Sequence, residues 1–287
     1  MIRLDAATVL LQWAVGGLAF CWITTRHREV GLGYGWLLRA TYALIAMAGV
    51  AAGLRYGTVA VREAAGAATA AAALAALGVS VVRRRAGVSG RLAEHDRRTA
   101  QVAEMTGIER TVGGDSPADP SQREFPPLLD LVAPLVGTVA LVAAAIDAGG
   151  NTAVSLIRTL AGAAFLGAVT DAMLLGHWYL VQPGLPRRHL NELVRWLGWI
   201  WPIEVAGLLL PTGMISVFSG AVDDGWGGQL GWFWALCAVT TIVLVVVTRA
   251  ALRERYYSAV MAATGLLYLA ILTAFGTDLV ARAVLDT

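Results

Sequence analysis

The sequence predicts an all-α, polytopic integral membrane bundle of about eight transmembrane helices, with both termini extracytoplasmic. Three observations predict it. Of the 287 residues 57% are hydrophobic and only 15% charged, against about 25% charged in a soluble domain, so polar groups are too few to cover a water-facing surface. Apolar runs recur, each near the roughly 20 residues that a helix needs to cross a bilayer. The basic residues, all Arg and none Lys, gather in alternate connections between the runs.

The first run, Ala6 to Thr25, is a permanent span rather than a cleaved signal, because its flank has little positive charge and no small-residue cleavage site follows. The second and third spans are predicted over Gly35 to Leu54 and Val59 to Val82. The third is nearly all Ala, with Gly66 and Thr69, a composition suited to close helix packing. A polar segment follows from Arg83 to Pro126, with one short helix expected over Arg91 to Met105 and a Gly-, Pro- and Asp-rich linker over Gly113 to Pro120. The remaining spans are predicted over Pro127 to Asp147, Thr152 to Val181, Leu190 to Phe218, Leu230 to Thr248 and Tyr257 to Val284. The chain thus divides into spans one to three (1–82), a cytoplasmic polar segment (83–126) and spans four to eight (127–287).

Orientation follows from Arg in short loops. Arg26 and Arg28, Arg83 to Arg85, Arg187 and Arg188, and Arg249, Arg253 and Arg255 all follow odd-numbered spans, which assigns those connections to the cytoplasm. The opposite loops are poorer: Asp147 to Asn151 has no Arg, Ser219 to Gln229 carries Asp223 and Asp224, and Arg55 and Arg62 are the exceptions. Trp226, Trp232 and Trp234 are expected to form an outer aromatic belt. The Arg-, Ala- and Gly-rich composition is that of a high-GC bacterial gene, so the expected location is a bacterial inner membrane. A net charge of +2 gives no reason to expect nucleic acid, and there is no nucleotide-binding Gly-rich loop or Ser-His-Asp set. Cys21 and Cys237 lie within apolar runs and read as small buried hydrophobes.

The densest chemistry lies between Thr170 and Arg195 (TDAMLLGHWYLVQPGLPRRHLNELVR). The Pro-Gly-Leu-Pro run stops span five and turns the chain, which puts His177 and His189 near one cytoplasmic depth on neighbouring helices. Two imidazoles there can ligate a haem b iron or hydrogen-bond a quinone, with Trp178 and Tyr179 as flat walls and a hydroxyl donor. The opposing reading is an ordinary interfacial aromatic cluster. A stacked pair of haems would need four embedded ligands, and two of the four His lie outside the spans. A faint echo (Cys21-Trp22 then Arg39, His177-Trp178 then Arg195) matches spans one and two to five and six.

Two carboxyls sit inside apolar runs, where an ionised group costs about 2.5–3.5 kcal/mol even on the lenient insertion scale. Asp171 lies in the inner half of span five; Glu204 lies between Pro202 and Pro211, at an expected mid-membrane depth. Either is a candidate for proton transfer or a packed, neutral group that fixes helix register. Asp130, Asp147 and Asp278 read as span-end residues near water, and Glu192 and Arg195 as a surface pair three residues apart.

Three functional readings follow. One is a redox, electron-transfer or quinone-site subunit built on His177, Trp178, Tyr179 and His189, with Asp171 or Glu204 relaying protons. The second is a non-catalytic accessory or assembly subunit that packs against other membrane subunits. The third is a proton-coupled small-molecule transporter, with a homodimer supplying what a short chain lacks.

Overall fold

The computed structural model describes residues 4–89, 123–182, 184–210, 213–254 and 256–286. The helix expected over Arg91 to Met105 and the linker over Gly113 to Pro120 lie outside these residues. Helices run α1 Ala6–Thr25, α2 Leu32–Tyr56, α3 Ala60–Val82, α4 Val132–Asp147, α5 Thr152–Val181, α6 Arg188–Leu209, α7 Met214–Phe218, α8 Gln229–Arg253 and α9 Tyr257–Leu285, with a 3-10 turn, Pro127–Leu131, leading into α4. Among the described residues there is no strand, and the molecule is an all-α polytopic membrane bundle. Seven of its helices are long and apolar enough to cross a bilayer. The eighth long helix, α6, carries Arg188, Glu192, Arg195 and Glu204 and does not meet that composition.

The predicted bounds of α1 and α5 coincide with the helices, because local side chains cap both starts. The Asp5 carboxylate accepts from the amides of Ala7 and Thr8, each at 3.2 Å, and Asn151 Oδ1 accepts from Val154 N at 3.2 Å. The span expected over Leu190 to Phe218 is instead two helices, α6 and the short α7. Leu210, which precedes Pro211, holds φ −114° and ψ 156°, the extended conformation that proline imposes on its predecessor. Proline at 211 therefore ends α6 rather than kinking a longer helix, and Glu204 lies one and a half turns from the end of α6 rather than mid-helix.

α1 and α5 form the centre. In their most apolar stretches 61% and 56% of residues are buried inside the protein, against 33% for α3, α8 and α9. α1 packs on α2, α4 and α5; α3 closes against α2 and α4; α5 also packs on α6 and α9; α8 packs on α9 and α6. Where α1 meets α5 the backbones touch: a side chain at Gly16 would collide with the Ala163 carbonyl, and one at Gly167 with the Gly16 backbone. α3 buries Gly66, Thr69, Ala70, Ala73 and Ala76, one helical stripe of small residues. Leu44, Val82, Leu135, Leu236 and Leu272 point outwards, the surface that meets lipid.

Two ends of the bundle are distinct. At one end Gln182 Nε2 donates to Glu29 O at 2.9 Å, Arg28 pairs with Glu124 at 2.9 Å, and Arg187 Nη2 donates to Tyr256 O at 2.8 Å. The Arg-bearing connections therefore lie together. At the other end the starts of α1 and α3 and the ends of α4 and α9 surround one cavity. In the loop before α8, Asp224 accepts from the backbone amides of Gly228 at 2.8 Å, Trp226 at 2.9 Å and Leu230 at 2.9 Å. The Gly228 amide leads these donors in holding the Asp224 carboxyl below its ordinary range. Trp226 and Trp232 are exposed as a belt requires, but Trp234 is buried beside Phe218. It faces the seam under α7 rather than the lipid.

Candidate functional site

Three clusters hold the candidate carboxyls and His189, while the buried ion pairs Arg39–Asp130 and Arg62–Glu63 lie outside them. The first lies towards the cavity end. Glu204 on α6 is fully buried, and no donor reaches either of its carboxyl oxygens. The side chain within hydrogen-bonding reach is another acceptor, the carboxyl of Asp278 on α9; the other charged groups facing it are Arg282 and Arg158. Asp278 is fully buried too and accepts from Arg282 Nε at 2.8 Å and Nη2 at 3.1 Å, one turn along α9. Arg158 on α5 donates to Gly207 O at 2.8 Å and Leu210 O at 3.2 Å, closing carbonyls that the end of α6 leaves open. Gln12 on α1 donates to Thr159 O at 2.7 Å, while its Oε1 has no partner. These groups converge because α5 offers Gly162 there: a Cβ at that position would lie 2.7 Å from Gln12 Nε2 and 2.9 Å from Asp278 Oδ1.

Beside this cluster opens a cavity of about 470 Å³, within the usual range for small-molecule sites. Arg282 and Thr159 line it next to the cluster, and Asp5, Arg62, Asp147 and Asp286 add further charge. Arg62, one of the two exceptions to the loop charge pattern, is buried and bonded to Asp5 and Glu63. Its charge is met inside the protein.

The second cluster surrounds Asp171, also fully buried. Tyr42 on α2 donates its hydroxyl to Asp171 Oδ1, and Asp171 Oδ2 has no partner. The Tyr42 ring lies where a side chain at Gly17 would stand. Beside it Trp13 Nε1 donates to Thr170 at 3.0 Å. The Gly16–Gly167 crossing lies between this cluster and the first, and Ala163, Phe165 and Leu166 are buried around it. The two acids thus sit on opposite sides of a close-packed layer.

The third cluster is at the Arg-rich end. His189 Nε2 lies 2.7 Å from Glu29 Oε2, Arg188 also bonds Glu29, and the His27 ring stands 5.6 Å from His189. His177 is not part of it. His177 is exposed on α5, with Tyr268 Oη 3.4 Å from its Nδ1, so the structure does not bring His177 and His189 together. Trp178 Nε1 donates to Gln182 Oε1 at 3.1 Å, and Tyr179 donates to Pro186 O at 2.7 Å; both hold the turn after α5 rather than frame a shared opening. Glu192 pairs across the bundle with Arg26, not along its helix with Arg195.

Sequence reasoning missed several partners. Asp130, read as a span-end residue near water, is buried and accepts from Arg39 Nε and Nη2, each at 2.7 Å, with Thr25 Oγ1 at 3.0 Å. Arg39 and Arg195, paired by the faint echo, differ: the first is buried, the second exposed. Asp278 was read the same way as Asp130. The signal that could have found it is Arg282 four residues on, the spacing of a pair on one helical face. Gln12, a lone amide in an apolar run, was a further signal. Cys21 and Cys237 are both free and buried, as expected.

What fold and clusters define is a polytopic α-helical membrane protein with buried, unevenly partnered carboxyls. No family model matches the chain, and no curated protein or solved structure matches it either.

Proposed function

We propose that the protein is a proton-coupled transporter of a small polar solute, in which Asp171 and Glu204 take up and release protons. One observation carries the reading: Glu204 lies wholly inside the bundle with no donor to either oxygen, beside a second carboxyl and next to a polar cavity. A carboxylate left in that state costs several kcal/mol, and a subunit that only packs against partners has no use for it. The packed layer between Glu204 and Asp171 suits a carrier that exposes one acid at a time. A haem or quinone site draws no support from the geometry, since His177 and His189 stand apart and His189 commits one ring nitrogen to Glu29.

The test is made in proteoliposomes that hold a pH dye and face an inward proton gradient. Small amphoteric and cationic solutes are offered outside, because the cavity sets Asp5, Asp147 and Asp286 against Arg62 and Arg282. At least one solute should speed acidification with the wild-type protein, and Asp171→Asn or Glu204→Gln should reduce that effect at least tenfold. Solute-driven acidification that survives both substitutions, or that no solute produces, removes the reading.

A further inference from the structure

We propose that Glu204 and Asp278 form a single carboxyl pair that binds one proton between them and exchanges it with the cavity at the terminal end of the bundle. Only its part in transport rests on the function proposed above.

The argument starts from acceptors. Two ionised carboxylates cannot hydrogen-bond; the contact becomes a bond when one of them carries a proton. Glu204 has no other donor, since both its oxygens are unpartnered. Asp278 has its two oxygens engaged by Arg282, which fixes it as the acceptor in an O–H···O bond from Glu204. Sequence separates the two by a whole helix and a loop, and the pair exists because α6 and α9 both pack on α5 and α8. Pro202 in α6 removes the helical donor to the Gly198 carbonyl, six residues before Glu204.

Charge balance alone does not call for the proton; the missing donor to Glu204 does. From α9 come Asp278 and Arg282, from α5 Arg158, and from α6 Glu204 itself. With both acids ionised the four groups sum to zero; with one proton bound they sum to +1. Gln12 on α1 is fully buried with an unpartnered Oε1, and it converges with Asp278 around Gly162. That free acceptor gives an incoming proton, or the water bearing it, a first place to bond between Thr159 and the pair. Arg282 and Thr159 belong both to the cavity lining and to the cluster, so the route from water to the pair is one side chain deep. Asp171 lies beyond the glycine crossing and does not line this cavity.

The measurement is infrared difference spectroscopy of the purified full-length protein between pH 5 and pH 9. The pair predicts a protonated-carboxyl band that shifts in D₂O, is lost in Glu204→Gln, persists in Asp171→Asn, and changes frequency and titration midpoint in Asp278→Asn. A band and midpoint untouched by Asp278→Asn, or no such band in the wild type, overturns the proposal. Asp278→Asn leaves Arg282 without its carboxylate and can fail to fold, so a second readout uses a mild variant. Thr58→Cys places a thiol on the cavity lining. Its reaction with a bulky, membrane-impermeant thiosulfonate should slow deuterium exchange of the band at least tenfold; an unchanged rate overturns the proposed route. If the band behaves as expected while no solute drives acidification in vesicles, the pair stands and the transport reading falls. Solute-driven flux with a band indifferent to Asp278→Asn sinks the pair alone.

Discussion

Arg39 and Asp130 are each about 3% exposed and bonded twice to one another, so either one alone is a buried charge without its counter-charge. Removing one member of such a pair costs about 3–5 kcal/mol, whereas replacing both with apolar residues of similar volume is often neutral. Arg39→Met should therefore lower the stability of the protein in bicelles by that amount, followed by tryptophan fluorescence during SDS unfolding. Arg39→Met with Asp130→Leu should recover most of the loss; a double variant as weak as the single one would show that the charges themselves are needed. Such pairs mark the edge of what residue-level reading sees. Asp171 and Glu204 stood out because a carboxyl in an apolar run needs a reason to be there. Their partners did not stand out: Tyr42 is 129 residues from Asp171 and Asp130 is 91 from Arg39. A polar residue near the end of an apolar run looks wetted until a neighbouring helix is known to cover it.

At the scale of elements, α1 and α5 were legible to the residue because capping and composition are local, while the end of α6 was misread because a proline in an apolar run can either bend a helix or stop it. Which helices touch was not legible, since Gly16 and Gly167 resemble the many other glycines of the chain. The structure separates them by what an added methyl would meet. At Gly16 it meets backbone of α5; at Gly78 on α3 it meets nothing within 4 Å. Gly16→Ala forces the α1–α5 crossing apart, and overpacking of this kind costs about 1–3 kcal/mol. Gly78→Ala relieves a helical glycine without a clash and should be neutral or stabilising by up to about 1 kcal/mol. The two substitutions are chemically the same, so opposite signs in the same unfolding assay would isolate the crossing. Equal effects would mean that the contact carries no stability.

The two ends of the whole molecule differ in kind. At one, Arg26, Arg28, Arg187 and Arg188 hold the connections together through Glu192, Glu124, Glu29 and backbone carbonyls. At the other, the starts of α1 and α3 and the ends of α4 and α9 ring a cavity in which Asp5, Asp147 and Asp286 outnumber Arg62 and Arg282. Both described termini thus belong to one end, which requires α6 to run from end to end like its neighbours despite its four charges. Loop arginines resist translocation, so the Arg-rich end should face the cytoplasm and the cavity the extracytoplasmic side. If that orientation and the proposed proton exchange both hold, a proton bound at Glu204 should come from outside the cell, with Asp171 in the cytoplasmic half. Alkaline phosphatase fused after Thr287 should be active and a fluorescent protein at the same point dark, with the opposite result for insertions between residues 90 and 122. A bright carboxy-terminal fusion would invert the bundle and direct the proton path from the cytoplasm. Termini reporting opposite sides would mean that α6 does not cross, leaving Glu204 on a half-helix that meets Asp278 of the crossing helix α9.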